Sequence, residues 1–346
     1  MRPGLTIETH SSGMTETETE TEIDTERWDW RRCRSFGWSG MLRRILKRAM
    51  DSTGSSSSSG TPPAAARERE REGERERKRE RKGAGGEKVI VPRNKPCIVL
   101  EGHSARDTVI QWADSSEVTR SATFTVNAEN FKARNIKFQN TYNENTQRGD
   151  LNPIKQAPAF QTTADKVSFY QCAFIGVQDT LSDLQGRHYF ESCYIEGAID
   201  FIWGGGQSFY QGCTINATAA IQGRLTGYIT AQGRKSETDT SGYVFNQCTV
   251  VGTGLVYLGR AYMQYSRVVF SKTYLLNVVV PKGWNPWRYV GREQTITYTE
   301  SQCIGLGANM SKRVKWEKTL SSKDLAGLTN VNAFVNQDGW LQKQPF

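Results

Sequence analysis

Two aspartates occupy equivalent positions in successive copies of an internal repeat. Asp179 follows Cys172 by seven residues, and Asp200 follows Cys193 by seven residues. If each repeat forms one rung of a stacked structure, the two carboxylates lie one strand spacing apart, about 4.8 Å. Two carboxyl groups that close do not both ionise easily, so their pKa values separate and one can act as an acid while the other attacks.

Such a pair supports either of two reactions. Glycoside hydrolysis needs an acid and a nucleophile about 5 Å apart, or a wider pair with a water between them. Acyl transfer needs one aspartate to attack an ester carbonyl, a second to move the proton, and donors for the oxyanion. The surroundings favour acyl transfer, because Gln178 and Gln156 offer amide donors. Arg260 could hold one carboxylate ionised through a bidentate pair.

The repeat itself predicts the fold. Each unit has an aromatic residue, a Cys or another residue three positions later, and an apolar residue two positions after that. The central copies are 21 and 20 residues apart, a period typical of a solenoid, and their alternating apolar positions predict short strands. The segment 97–298 shows almost no helical periodicity, so we expect an all-β, right-handed parallel β-helix rather than a leucine-rich horseshoe. The copies are Phe131-Arg134-Ile136, Phe169-Cys172-Phe174, Phe190-Cys193-Ile195, Tyr210-Cys213-Ile215, Phe245-Cys248-Val250 and Phe270-Thr273-Leu275.

The N-terminal part of the chain differs in composition from the rest. Residues 1–85 contain the run TETETETE, a serine tract and alternating Arg and Glu, which together bury too little apolar surface to fold. We therefore predict a disordered, low-complexity leader over 1–85 and a β-helix domain over 86–346. The basic, aromatic stretch 27–50 is either a short amphipathic helix for an anionic surface or a leader without function. No apolar run is long enough to span a bilayer, and no secretory signal peptide begins at Met1.

Charge and composition narrow the class of partner. The net charge of +9 suits a polyanion, either nucleic acid or an acidic polysaccharide, and no nucleic-acid-binding motif is present. The three histidines are scattered, without zinc-ligand spacing and without a partner for a Ser or Cys nucleophile. The glycines 204–206 lack the lysine of a phosphate loop, which predicts a tight turn. The aromatic residues that could stack on sugar faces are Phe160, Tyr262, Trp284 and Trp287.

At the residues that carry this chemistry, the chain resembles the plant-type pectin methylesterases. GVQDTL (176–181) is similar to their acid/base segment, AIDFIWGGG (198–206) to their nucleophile segment, and YLGRAY (257–262) to their arginine segment. Further matches are SATF (121–124), NIKFQNT (135–141), ITAQGR (229–234), PKGWNPW (281–287) and RVKW (313–316). The resemblance runs in collinear order over about residues 87–346.

The resemblance implies a role for each of these residues. Asp200 would attack the methyl ester of galacturonate, and Asp179 would donate a proton to methanol and then act as the base for water. Gln178 would stabilise the anionic intermediate, with Gln156 beside it. Arg260 would hold and orient Asp200. The resemblance thus implies carboxylic ester hydrolysis by an aspartyl esterase, which would convert pectin to pectate and methanol in cell wall modification.

The resemblance also implies binding residues and partners. Tyr262 and Trp287 would contact the sugar chain, and we expect Gln156, Arg260 and Phe160 to contribute to substrate binding. The family disulfide would join Cys193 and Cys213. No metal or organic cofactor is implied. The implied partner is methyl-esterified homogalacturonan, with a proteinaceous inhibitor as a further candidate, and we expect a secreted, cell-wall monomer that binds no nucleic acid.

Four departures from the family pattern stand out. Tyr262 takes the place of the usual Trp, and Ala261 that of Pro. Gly205 and Gly206 replace Asn-Ala, which we expect to loosen that turn. The family's opening coil has no counterpart, so we expect an uncapped β-helix end and reduced stability. Two alternatives remain: a polygalacturonase-like glycosidase on the same fold, and a non-catalytic pectin-binding β-helix weakened by the missing coil.

Overall fold

The computed structural model describes residues 88–144, 154–220 and 226–344, together with the backbone of Thr6–Glu8. Apart from that short strand, the predicted leader over 1–85 lies outside the described residues. The prediction of a missing first coil concerns the same region.

The described part of the chain is built mainly from short strands. In chain order they are β1 (Thr6–Glu8), β2 (Val89–Val91), β3 (Val99–Glu101), β4 (Val109–Trp112), β5 (Phe124–Val126), β6 (Lys132–Arg134), β7 (Lys137–Asn140), β8 (Phe160–Thr162), β9 (Val167–Tyr170), β10 (Ala173–Ile175), β11 (Leu181–Asp183), β12 (Arg187–Glu191), β13 (Tyr194–Gly197), β14 (Ile199–Gly204), β15 (Gln207–Gln211), β16 (Thr214–Ala217), β17 (Gly227–Gln232), β18 (Gly242–Asn246), β19 (Thr249–Gly252), β20 (Val256–Arg260), β21 (Arg267–Ser271), β22 (Tyr274–Leu275), β23 (Trp284–Asn285) and β24 (Thr297–Ser301).

The strands form three sheets wound around one axis. From β2 onward each strand pairs in parallel with the strand three places later in the chain, so every three strands complete one coil. The described strands fall into an eight-stranded sheet (β2 to β23), a nine-stranded sheet (β1 and β3 to β24) and a seven-stranded sheet (β4 to β22). Only β1 differs among them, because it pairs antiparallel with β3. The prediction of a parallel β-helix is confirmed.

An aromatic ladder forms the centre of the core. Phe190, Tyr210, Phe245 and Phe270 stack on successive coils with ring centroids 4.4–4.6 Å apart and nearly parallel planes. Phe169 continues the ladder at 5.0 Å from Phe190. All five side chains are buried, and stacked rings contribute beyond the area they remove from water. These are the aromatic positions that define the sequence repeat.

The first copy of the repeat was predicted two residues out of register. Strand β6 pairs with β9 so that Ala133, not Phe131, lies opposite Phe169. Likewise Phe138, not Ile136, lies opposite Phe174. The ladder position here holds a small alanine, and Phe131 lies two residues earlier, still buried, with its ring 6.1 Å from that of Phe169. In this coil, the aromatic residue Phe131 therefore does not mark the position that belongs to the ladder.

The cysteines form a buried column that follows a column of sharp turns. Gln171, Ser192 and Gln247 each precede a cysteine of this column and adopt positive φ angles of 52–53°. The disulfide predicted between Cys193 and Cys213 is absent, since both are free thiols. Strand register places them on adjacent rungs, but each thiol hydrogen-bonds to backbone carbonyls of neighbouring strands at 3.4–3.6 Å.

Helices pack against one outer face of the β-helix. The α-helices are α1 (Ser322–Thr329), α2 (Val331–Phe334) and α3 (Trp340–Lys343), and the short 3-10 helices are Trp287–Tyr289, Glu293–Thr295, Leu306–Ala308 and Met310–Lys312. Phe334 and Trp340 bury their rings against Phe209 and Val244 on the nine-stranded sheet. None of the helices in the described ranges is long and apolar enough to cross a membrane.

Candidate active site

The candidate catalytic residues lie in, or directly before, strands of the eight-stranded sheet. Asp179 lies just before β11, Asp200 is in β14, and Arg260 ends β20. The register pairs Gln178 with Ile199 and Leu181 with Ile202, so Asp179 lies opposite Asp200. The structure thus brings the two aspartates to adjacent rungs, at the separation of about 4.8 Å expected for paired strands.

Both aspartates hold an unusual backbone conformation. Asp179 has φ of +60° and Asp200 has φ of +49°, in the left-handed region that few residues other than glycine enter readily. Each such residue costs about 1–3 kcal/mol and persists where the surrounding fold enforces it, often at functional sites. The two residues are also largely buried, with 3% and 7% of their surface exposed.

Arg260 holds Asp200 in a bidentate ion pair. Its Nε donates to Asp200 Oδ1 at 2.7 Å, and a terminal guanidinium nitrogen donates to Oδ2. The same guanidinium lies 3.8 Å from the centre of the Trp287 ring and 4.3 Å from that of Tyr228. Such contacts favour the cation and limit its motion, so the Asp200 carboxylate is fixed in direction.

The environments of the two carboxyl groups differ. Burial raises the pKa of Asp179 well above its usual value, and the negative charge of Asp200 raises it further. Hydrogen bonding from Gln156 and the charge of Arg260 oppose this only in part. Burial also raises the pKa of Asp200, but the hydrogen bonds and charge of Arg260 act against it. Asp200 therefore ionises first, and Asp179 keeps its proton to higher pH.

The two glutamines contact the site in different ways. The side chain of Gln156 hydrogen-bonds to the Asp179 carboxyl, although Gln156 is an exposed residue. Gln178 is half-buried and immediately precedes Asp179, and its backbone carbonyl accepts from Ala157 N at 3.2 Å. Gln156 therefore lies beside the Asp179 carboxyl, and Gln178 directly precedes that aspartate on the next coil.

Aromatic side chains adjoin the carboxylates. Tyr262, which is 37% exposed, lies between Trp287 at 6.0 Å and Trp203 at 5.8 Å between ring centroids. The Trp203 indole N–H donates to Ser182 Oγ at 2.7 Å, which fixes that ring. Sequence reasoning missed Trp203. Its signal is its position three residues after Asp200, where strand alternation turns it away from the buried Ile202.

Two residues proposed for sugar contact belong to the core instead. Phe160 is fully buried, and its ring packs 4.8 Å from Phe169 and 5.2 Å from Phe138. Trp284 is also buried and packs 4.5 Å from Tyr298. The assignment of Phe160 to substrate binding was therefore wrong, because β8 directs this ring towards the axis of the coil.

Comparison with known proteins places the chain in a family. A sequence model of the family described as Pectinesterase matches residues 51–338. The chain belongs to the pectinesterase family. It is 44% identical over 262 residues to probable pectinesterase 29 of Arabidopsis thaliana, covering 75% of this chain and 78% of that protein.

Solved structures of pectin methylesterases share the fold of this pectinesterase-family chain. The enzyme from carrot superimposes with a TM-score of 0.69 at 31% identity, covering 76% of this chain and 85% of the carrot chain. That from Aspergillus niger gives a TM-score of 0.62 at 27% identity, covering 74% of this chain and 83% of its own. The parallel β-helix is therefore the fold of known pectin methylesterases.

The departures from the family pattern have structural consequences. The turn at Gly205 and Gly206 is not loosened, because their N–H groups donate to Leu184 O at 3.1 Å and to Asp183 O at 3.0 Å. Ala261, which takes the place of proline, donates its N–H to Asn285 O at 3.2 Å, a bond that proline cannot make. Both changes therefore fit the turns around the site.

Gly206 packs against a buried polar cluster. A Cβ atom at this position would lie 2.1 Å from Asp183 Oδ1. The Asp183 carboxylate cannot move aside, because it pairs with the buried His188 and accepts from Tyr210 Oη at 2.6 Å. The absence of a side chain at Gly206 therefore lets this cluster pack directly beneath the turn that follows β14.

We expect Gly206→Ala to destabilise the protein by about 1–3 kcal/mol, because it overpacks this rigid contact. Chemical denaturation followed by tryptophan fluorescence measures the effect. Gly327→Ala is the control, since its Cβ would meet nothing within 4 Å in helix α1. Equal stability of the Gly206→Ala variant and the wild type would contradict the packing.

Proposed function

We propose that this chain hydrolyses the methyl esters of galacturonate in pectin, and that Asp200 is the nucleophile. The observation that carries the proposal is the asymmetric pair: Asp200 is bound by Arg260 and ionises first, while Asp179 opposite it retains a proton. A nucleophile and an acid on adjacent rungs are the two groups that ester cleavage requires.

In the first half of the reaction, an Asp200 carboxylate oxygen attacks the ester carbonyl. Although both oxygens accept hydrogen bonds from Arg260, each retains a further lone pair for attack. The carbonyl electrons move to its oxygen, and the amide of Gln178 stabilises that oxyanion. When the tetrahedral intermediate collapses, the bond to the methoxyl oxygen breaks, Asp179 gives its proton to methanol, and an acyl-enzyme anhydride remains.

In the second half, Asp179 has become a carboxylate and acts as a base. It takes a proton from a water molecule, and the resulting hydroxide attacks the galacturonyl carbon of the anhydride. The bond to Asp200 breaks, which releases the free acid and restores the carboxylate. Gln156, hydrogen-bonded to Asp179, keeps that carboxyl oriented through both proton transfers.

The aromatic side chains and the charge suit a sugar polymer. Trp287 packs against the Arg260 guanidinium that holds Asp200, and Tyr262 and Trp203 continue this aromatic cluster. Aromatic walls with a few fixed polar groups are typical of small-molecule and sugar sites. The net charge of +9 attracts a polyanion such as partly demethylated pectin.

Incubation of the full chain with highly methylated pectin tests the proposal. We expect methanol to accumulate, measured by an alcohol oxidase assay, together with titratable acid in equal amount and no new reducing ends. A rise in reducing ends would instead indicate a backbone glycosidase. Absence of methanol, while a known pectin methylesterase is active in parallel, would overturn the proposal. Nothing in the site favours the non-catalytic alternative.

Export to the cell wall follows from the proposed substrate. Pectin lies outside the plasma membrane, so we propose that the chain is secreted. Detection of its tryptic peptides in apoplastic fluid, and their absence from a cytosolic fraction, would support export. The monomeric state and binding of an inhibitor protein stay predictions, to be tested by size-exclusion chromatography and by titration of methanol release with the inhibitor.

A further inference from the structure

The chain contains two glycosylation sequons, and their asparagines lie in different environments. In the first, Asn216 lies in β16 and is half-buried, and its Nδ2 donates to Tyr194 Oη at 2.7 Å and to Glu196 Oε2 at 2.8 Å. In the second, Asn309 is exposed between two 3-10 helices, and its Nδ2 has no partner among the described residues. Only the second amide nitrogen is free to react.

The backbone around Asn309 also has a conformation suited to glycosylation of its side-chain amide. Asn309 Oδ1 accepts from Ser311 N at 3.0 Å, which forms an Asx turn across the sequon. This turn brings the asparagine amide towards the hydroxyl-bearing residue of the same tripeptide. The first sequon instead begins in β16, which contains Asn216 and Ala217, and a glycan there would displace Tyr194 and Glu196 on the neighbouring coil.

The surface around Asn309 is unusually apolar for a solvent-facing region. Ile304, Leu306 and Met310 are 63%, 80% and 50% exposed, and they surround the sequon in the chain. Exposed apolar patches of this kind generally have a partner or a cover. A glycan is bulky and solubilising, and one attached at Asn309 would shield these side chains from water.

We propose that Asn309, and not Asn216, carries an N-linked glycan. The donor is a lipid-diphosphate-linked oligosaccharide. A bond forms between Asn309 Nδ2 and the anomeric carbon, the bond from that carbon to the phosphate oxygen breaks, the lipid diphosphate leaves, and the amide loses one proton. The modification rests on the proposed export, because this donor is encountered in the secretory pathway.

Peptide mapping of the full chain, expressed behind an added signal peptide in plant cells, tests the assignment. Enzymatic deglycosylation in heavy-oxygen water should label Asn309 in tryptic peptide 293–312 and leave Asn216 in peptide 188–224 unlabelled. Deglycosylation should increase the mobility of the wild type on a denaturing gel. Ser311→Ala should abolish this shift, while the matched variant Thr218→Ala should keep it. A glycan on Asn216, or an unmodified Asn309 in the secreted protein, would overturn the proposal. Methanol release by Ser311→Ala is measured separately, so failure of the esterase assignment remains distinguishable.

A second observation concerns the ring that contacts Arg260 besides Trp287. Tyr228, in β17, lies on the strand between β14, which carries Asp200, and β20, which carries Arg260. Its ring stacks on Tyr257 at 5.3 Å and 9° and holds the guanidinium over its face at 4.3 Å. Tyr228 therefore contacts the Arg260 of the Arg260–Asp200 pair directly, whereas Tyr257 makes no cation–π contact with Arg260.

We infer that Tyr228 is a positioning residue for the proposed esterase reaction, acting through Arg260 on Asp200. The titratable and charged groups that interact electrostatically with Asp200 are Asp179, which precedes β11, Arg260 from β20, Tyr228 from β17 and Tyr298 from β24. Of these, only Arg260 favours the ionised carboxylate. Loss of the Tyr228 ring loosens Arg260, and the carboxylate of Asp200 then becomes harder to ionise.

The pH dependence of kcat/KM separates this role from a merely structural one. In Tyr228→Leu we expect kcat to fall about 10-fold with little change in KM, and the acidic limb to move to higher pH. Tyr228→Phe, which keeps the ring, should restore both within about threefold, and Tyr257→Leu should leave the limb in place. An unmoved acidic limb in Tyr228→Leu, or an equal shift in Tyr257→Leu, would overturn the inference. The wild-type assay for methanol tests the underlying esterase activity independently.

Discussion

Replacing Asp200 with asparagine is expected to lower methanol release on the order of 10⁴-fold or more, since the variant has no anionic nucleophile. Asparagine has nearly the same shape and can still accept a hydrogen bond from Arg260, so the turn and its positive φ are retained. The loss therefore reports chemistry rather than folding. Initial rates of methanol release on methylated pectin, compared with thermal denaturation of the same preparations, measure it.

Asp107→Asn is the matched control for this substitution. Asp107 is an exposed aspartate outside the eight-stranded sheet, hydrogen-bonded to Ser104, and its replacement should leave the rate unchanged. An Asp200→Asn variant with more than about a tenth of wild-type activity would sink the nucleophile assignment, since removal of a nucleophile costs far more than tenfold. Asp179 or a water molecule would then have to initiate attack.

The sequence predicted the carboxylate pair because, in a solenoid, residues at equivalent positions of successive repeats lie next to each other on adjacent coils. Equal spacing from a repeated cysteine was enough to place Asp179 opposite Asp200, since each coil returns the chain to the same column. The aromatic ladder from Phe169 to Phe270 followed for the same reason. Loops of different length between coils change the number of residues between two equivalent positions. They do not change which residues stack on one another, because parallel pairing of the strands restores the register.

The predictions were wrong at residues whose side-chain direction is not determined by the neighbouring sequence. Phe160 lies within a run of six buried residues, 157–162, so no alternation of buried and exposed residues marks which side chains face outward. At the first coil, an aromatic residue lay two positions from a small one that occupies the ladder. Tertiary packing decides both cases. Likewise, the fit of Gly206 over Asp183 depends on a buried cluster that joins residues from β11, β12 and β15.

The role of Tyr228 could not be read from the sequence for a related reason. Cation–π contacts depend on which strands are neighbours in the sheet, and β17 separates β14 from β20 in space. The sequence shows only that Tyr228 lies well upstream of Arg260. Once the order of strands is known, the tyrosine on the intervening strand becomes the residue best placed to steady the ion pair.

Replacing Asp179 with asparagine is expected to lower kcat by roughly 10²–10⁴-fold, because methanol must then leave without a proton donor. The wild type should show a bell-shaped pH profile. At low pH Asp200 is protonated and cannot attack, and as pH rises through the elevated pKa of Asp179 the acid is lost. The variant should keep the acidic limb and lose the basic one. Rates measured across pH on methylated pectin test both limbs.

A change of leaving group gives the sharper form of this test. Trifluoroethanol is a stronger acid than methanol, so trifluoroethyl esters of polygalacturonate need less protonation as the leaving group departs. The defect of Asp179→Asn should shrink by about 10-fold or more on this substrate, whereas that of Asp200→Asn should not shrink. Equal rescue of both variants would show that the two carboxyl groups do not divide the roles of acid and nucleophile. Their different neighbours, Arg260 on one and burial beside a negative charge on the other, are the physical reason to expect that they do.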